Sequence, residues 1–227
     1  MISKIYDWLM REYGPQGWWP LLDCEGSNPT KTGAVKGYHP GDYTYPKNEK
    51  QRFEICIGAI LTQNTGWVQV EKALLNMKEK NLLSAKAINK CDVEVLKKLI
   101  KPTGYFNQKA KKLKIFSEFF LTLRGRTPKR KELLELWGIG PETADSMLLY
   151  AYKIPTFVVD AYTKRIFTNL GLIEKDAKYD KVKELFEKNL ETDYKLFQEY
   201  HALIVEHAKN YYNKKPYRIN DPLMQII

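Results

Sequence analysis

The sequence predicts an all-α protein, and three observations carry that expectation. From Lys50 onward, apolar residues recur every three or four positions. The one strand-like run, Thr156-Phe157-Val158-Val159, is too short to make a sheet. The breaks at Gly14-Pro15-Gln16-Gly17 and Gly138-Ile139-Gly140-Pro141 punctuate helical runs. In 227 residues, 44% hydrophobic and 13% aromatic content is enough for a real core, which excludes a disordered chain or a collagen-like fibre.

Residues 1–13 read as a helix that ends at the Gly14–Gly17 break and leads into Trp18-Trp19-Pro20. Residues 23–48, rich in Gly, Pro, Asn, Thr and Tyr, have no usable period and read as a long loop, a class that is functional or poorly ordered. Helical spacing then covers 50–61, 66–80, 84–89, 92–100, 107–123 and 129–137. In 107–123, Ala110, Leu113, Phe116, Phe120 and Leu123 form the apolar stripe of an amphipathic helix. Pro141 opens the next helix, where its missing N–H costs nothing. Two or three further helices follow Asp160 before a basic, aromatic tail at 209–218.

The net charge is +10, and it is concentrated. Between Lys101 and Lys131 there are ten Lys or Arg and one acid, Glu118. Such a face is either simply solvated or a track for phosphates, and the overall balance favours a polyanionic partner. Three scattered cysteines, Cys24, Cys56 and Cys91, fit neither a disulfide framework nor a metal-ligand set. No stretch approaches the roughly 18 apolar residues of a membrane helix. The expectation is a soluble intracellular protein with no membrane partner.

Residues 133–151, LLELWGIGPETADSMLLYA, carry the strongest motif. Gly138 and Gly140 let the backbone turn sharply, Ile139 plugs the turn into the core, and the N–H groups of the turn and of the next helix form a positive nest. That nest can hold a phosphate directly or through a monovalent cation bound by backbone at Leu136 and Gly138, with Glu142 and Thr143 on the same surface. A bare Gly-x-Gly is equally an ordinary helix-turn-helix corner.

Taken whole, the pattern resembles the helix-hairpin-helix (HhH-GPD) DNA glycosylase superfamily, in its endonuclease III-like branch. The likeness runs from about residue 50 to 216 and includes LTQNT (61–65), GYFNQKA (104–110), VVDAYTKRI (158–166) and HALIVEHAK (201–209). It implies two helical domains, 48–156 ending in the hairpin and 1–47 with 157–227, with DNA in the cleft between them. Asp160 matches the family's catalytic aspartate, placed to stabilise the cationic sugar and direct water as the base departs. Read without the family, Asp160 before Ala161-Tyr162-Thr163 is a good helix N-cap. By the same likeness the LTQNT segment fills the space left by a flipped base, with Asn64 at the family's glutamine position and Gln63 beside it. In GYFNQKA, Asn107 is expected to cap the next helix and Lys109 to contact phosphate.

Two departures from the family bear on mechanism. Bifunctional members carry a Schiff-base lysine two residues after the second hairpin glycine, where this chain has Glu142, so a monofunctional enzyme using water is expected. Lys164 is expected at a phosphate, the alternative being that it substitutes for the missing amine. No cysteine follows Cys91, so the iron–sulfur cluster of many relatives is expected to be absent, with Tyr211, Tyr212, Pro216 and Tyr217 packing in its place; no cofactor is expected, the hairpin offering at most a place for a structural Na or K ion. Trp18, Trp19, Pro20, Phe53 and Trp67 are the candidate walls of the base pocket, similar to the 3-methyladenine DNA glycosylase III group, where aromatic rings favour a cationic alkylated purine. Leu203 stands at that group's modified lysine, and archaeal uracil-removing members fit as well. The implied function is therefore base excision repair, removing an alkylated purine or uracil from double-stranded DNA by a monomeric, cytoplasmic, nucleoid-associated protein of prokaryotic type. A non-catalytic helix-hairpin-helix module and a bifunctional glycosylase/lyase are the alternatives.

Overall fold

The computed structural model describes residues 1–31, 34 and 36–226. The helices in chain order are α1 (Ile2–Tyr13), α2 (Glu49–Leu61), α3 (Trp67–Glu79), α4 (Ala85–Lys90), α5 (Val93–Ile100), α6 (Phe106–Leu123) and α7 (Arg130–Leu134). They continue with α8 (Pro141–Ser146), α9 (Ala161–Asn169), α10 (Tyr179–Asn189) and α11 (Tyr194–Tyr211). No strand occurs among the described residues, and Thr156–Val159 is an extended buried segment.

Burial explains the arrangement. Helix α2 is buried from Phe53 through Leu61 on every face, so it lies at the centre, against α6, α8 and the π-helical turn Met147–Ala151 that prolongs α8. Asn48 starts it by accepting the Gln51 N–H at 3.0 Å. Around it, α3 packs on α5, and both α4 and α5 pack on α6. Ile2, Ile5 and Leu9 give α1 one apolar stripe, which lies on α11, while α9 covers another part of α11. No described helix is long and apolar enough to cross a membrane.

The long connection after α1 is irregular, as its composition predicts; its residues 32, 33 and 35 lie outside the described residues. Elsewhere it is tied down. Glu199 accepts the Gln16 N–H and Glu54 the Leu22 N–H, both at 2.7 Å, and Asp23 pairs with Lys50 and Lys78. At Gly17, which has φ +67°, a Cβ would lie 2.2 Å from Pro40 N, so the fold-back of this segment requires glycine.

Three expectations need correction. The predicted helix 129–137 stops at Leu134, because the chain must turn to present Gly138. Asn107 does not cap α6; Tyr105, in the left-handed region at φ 46°, occupies that position. The basic stretch is not one free face: Lys109 is buried, Lys114 bonds Asn89 O, Arg126 pairs with Glu132, and Arg130 pairs with Asp145. Lys101, Lys111, Arg124, Lys129 and Lys131 stay exposed.

Candidate active site

The buried run Phe157–Val159 delivers Asp160 to the start of α9. Asp160 Oδ1 accepts both the Thr163 N–H, at 2.7 Å, and the Thr163 hydroxyl, at 2.8 Å. Its Oδ2 faces Nε2 of His201, 3.7 Å away on α11. Burial alone would raise the Asp160 pKa; His201 and the two Thr163 donors outweigh it and hold the carboxyl below its ordinary value. Asp160 is thus both the N-cap of α9 and a carboxyl kept ionised.

His201 is itself placed by Tyr150. The π-helical turn after α8 brings the Tyr150 hydroxyl within 2.7 Å of His201 Nδ1 and 3.1 Å of Gln198 O, while Gln198 Nε2 donates to Leu149 O at 2.9 Å. Aromatic rings close the surroundings. Trp18 stands edge-on to His201 at 5.7 Å, and Trp19 lies between Tyr150, at 5.2 Å, and Trp67, at 5.5 Å. Trp18 and Trp67 are half-buried, whereas Trp19 and Pro20 are buried. Phe53 does not belong with them: it is 2% exposed and stacks in the core on Phe116 and Phe120, because it lies on the face of α2 turned toward α6.

At the hairpin, Gly138 has φ +81°, a conformation that favours glycine, and Gly140 caps α8 in extended geometry. Ile139 is 6% exposed beneath them. Leu136 O accepts the Ile139 N–H and Gly138 O accepts Gln63 Nε2, each at 3.1 Å, so each carbonyl would offer a cation only its second lone pair. Glu142, in the first turn of α8, is exposed; partial desolvation of its carboxyl, then the charge of Asp160, raise its pKa to about 7, against His201.

The LTQNT turn docks on this hairpin. Gln63 Nε2 also donates to Thr143 Oγ1, and Lys112 donates to Gln63 Oε1. Gln63 is therefore a clamp, and Asn64, exposed at φ 54°, is the side chain at the tip. Lys109, expected at a phosphate, is 2% exposed and donates to Leu61 O, Thr65 Oγ1 and Thr103 O at 2.7–2.8 Å, joining three chain ends that a phosphate-facing lysine could not reach. Lys164, also expected at a phosphate, turns to Ala177 O at 2.8 Å.

Sequence reasoning missed His201, Tyr150, Thr163, Lys112 and Tyr105. Tyr105, 67% exposed beside the Thr65–Thr103 contact, and Trp137, 47% exposed under Lys111 Nζ at 4.3 Å, extend the surface that Asn64 and the hairpin present. Asp-x-x-Thr at 160–163 is a readable capping signal; His201 lay inside a quoted segment without a role.

The arrangement combines a carboxyl held below its ordinary pKa, the His201, Tyr150 and Trp18 rings around it, a glycine hairpin and an exposed amide. The family description HhH-GPD superfamily base excision DNA repair protein matches residues 57–192. A Methanocaldococcus jannaschii protein with the provisional name DNA repair glycosylase is 43% identical over all of this chain and 95% of its own length. The crystal structure of H. pylori 3-methyladenine DNA glycosylase bound to 1,N6-ethenoadenine superposes with a TM-score of 0.68 at 26% identity, over 92% of this chain and 95% of that one. A non-covalent endonuclease III–DNA complex shares the fold, with a TM-score of 0.76 at 18% identity over 99% and 92% of the two chains.

Proposed function

The chain belongs to the HhH-GPD superfamily of base excision DNA repair proteins, and we propose that within it this enzyme is a monofunctional DNA glycosylase acting on alkylated or etheno-modified purines. It is a DNA repair glycosylase and binds DNA; the finer reading rests on one observation. Glu142 occupies the position two residues after Gly140, where bifunctional relatives carry the Schiff-base lysine, and a carboxyl cannot form an imine, so water is the nucleophile.

The lesion base turns out of the duplex into the cleft, between the half-buried rings of Trp18 and Trp67, and Asn64 enters the space it leaves. The hairpin N–H groups grip the backbone, and DNA crosses between the α2–α8 group and the group formed by α1 and α9–α11. As the C1′–N bond breaks, its electron pair leaves with the base and positive charge grows on the sugar. Asp160, kept ionised, stabilises that charge; water adds at C1′ and its proton passes to Asp160. An alkylated cationic base leaves neutral, an uncharged etheno-modified base leaves as the anion and takes up a proton from solvent, and an abasic site remains. The aromatic walls and the likeness to the H. pylori enzyme support the purine assignment.

The test is single-turnover base release from duplexes carrying 7-methylguanine, 3-methyladenine, 1,N6-ethenoadenine, uracil or 8-oxoguanine, with and without hot alkali and with borohydride. Alkali-dependent breaks at a modified purine, abolished by Asp160→Asn and without a borohydride-trapped adduct, are expected. Release of uracil alone overturns the substrate class, and a trapped adduct overturns the monofunctional reading.

A further inference from the structure

Every hydrogen bond that Asp160 makes through Oδ1 is local, to the first turn of its own helix. Oδ2 is different: the group facing it comes from a helix forty residues further along the chain. His201 is 5% exposed, its Nε2 has no hydrogen-bond partner, and that nitrogen points at Oδ2 across 3.7 Å. A buried ring nitrogen without a partner is costly, so such a group has a use or a relief. The separation is slightly longer than a hydrogen bond and closes with a small rotation of either side chain.

The ring's other nitrogen fixes its orientation. The Tyr150 hydroxyl has one proton and two acceptors in reach, Nδ1 at 2.7 Å and Gln198 O at 3.1 Å. With that proton on the nearer acceptor, Nδ1 accepts, and the imidazole proton lies on Nε2, directed at Asp160. Trp18, edge-on at 5.7 Å, blocks the ring from turning away.

We propose that His201 is a positioning residue for the glycosylase reaction: its Nε2–H holds Oδ2 of Asp160 toward the sugar, and Tyr150 selects the tautomer that does so. The inference rests on Asp160 being the catalytic carboxylate. It divides the two oxygens of one carboxylate between two jobs, Oδ1 capping α9 and Oδ2 meeting the developing charge. The other titratable groups around the pair are Glu142 from α8, Tyr150 itself and Glu199 two residues earlier on α11. None of these is a cation, and Lys164 on α9 is turned to Ala177 O. His201 is thus the donor that keeps the carboxylate from taking up a proton in a desolvated site.

The experiment follows Asp160 directly, in the free enzyme, by titrating 13C-labelled aspartate side chains by NMR; the Asp160 resonance is the one that disappears in Asp160→Asn. Wild type, His201→Ala, His201→Gln and Tyr150→Phe are compared, and the same proteins are assayed for single-turnover release of 1,N6-ethenoadenine against pH. In His201→Ala the Asp160 titration and the acid limb of base release are expected to move together to higher pH. The rate near pH 6 falls about tenfold, and affinity for an abasic duplex is unchanged. His201→Gln, which keeps a donor, restores part of both, and Tyr150→Phe shifts them in the same direction by less. If His201→Ala leaves the Asp160 titration and the acid limb in place while lowering the rate at every pH, His201 is packing only and the proposal falls. A shifted titration in a wild type that releases no ethenoadenine keeps the His201–Asp160 link and overturns the substrate reading instead.

Discussion

Gln63 and Thr143, eighty residues apart, are joined by a 2.9 Å hydrogen bond from Nε2 to Oγ1, and the same amide reaches Gly138 O. The bond fastens the turn that carries Asn64 to the hairpin, so the two segments are held as one body.

Gln63→Ala should separate them. One neutral hydrogen bond contributes about 1 kcal/mol, so affinity for a duplex with an abasic site should weaken roughly fivefold. Binding to undamaged duplex should change less, because in the proposed reading Asn64 engages only where a base has left its stack. Fluorescence anisotropy with the two duplexes checks this; equal losses would mean that Gln63 acts on backbone grip alone.

Lys109 is expected to matter for stability more than for phosphate binding. Lys109→Met leaves Leu61 O, Thr65 Oγ1 and Thr103 O without their shared donor, a loss of about 3 kcal/mol in chemical denaturation. Lys109→Arg should not rescue it, because a planar guanidinium cannot converge on three acceptors around one point. The salt dependence of DNA affinity should stay unchanged.

Glu142 sets a pH dependence whose sign is defined. Its carboxyl is raised to about 7, chiefly by desolvation and then by Asp160, from an ordinary value of about 4.3. Such a group opposes folding progressively as pH rises through that interval and fully above it. Glu142→Gln should therefore raise Tm more at pH 8 than at pH 5. A gain independent of pH would show that the carboxyl is not desolvated in the fold.

The C-terminal tail carries a buried network. Asp221 accepts from His207 at 2.9 Å and from Tyr212 at 2.5 Å, while Tyr13 of α1 reaches the other nitrogen of His207 at 3.0 Å. Burial would raise Asp221, but His207 and Tyr212 outweigh it, so its pKa is depressed. A depressed carboxyl contributes stability above its unfolded value of about 3.9, and that contribution is lost as pH falls through the folded one. Asp221→Asn should cost about 3–5 kcal/mol at neutral pH and remove this acid-range dependence, read from Tm against pH. Tyr212 and Tyr217 stack at 6.1 Å, as expected of the tail, with the Asp221–His207 pair beneath them an addition from the fold.

The sequence by itself determined what is local or periodic. Helix spacing, the Gly138-Ile139-Gly140 turn and an aspartate three residues before Thr163 are short-range constraints, and each is present in the fold. Family likeness extended this to the activity. Which side chains face one another was decided only by the tertiary structure. Lys109 borders the apolar stripe of α6 beside Ala110, and nothing in its neighbours along the chain distinguishes a solvated ammonium from one buried under three acceptors. Phe53 reads as a pocket wall until α2 is seen turning it to Phe116. His201 reaches Asp160 because α11 packs on α9 and on the π-helical turn, and that packing depends on contacts between segments far apart in the chain. Pairings of that kind follow from how whole helices bury their faces against each other, and residue spacing within one helix carries no record of them.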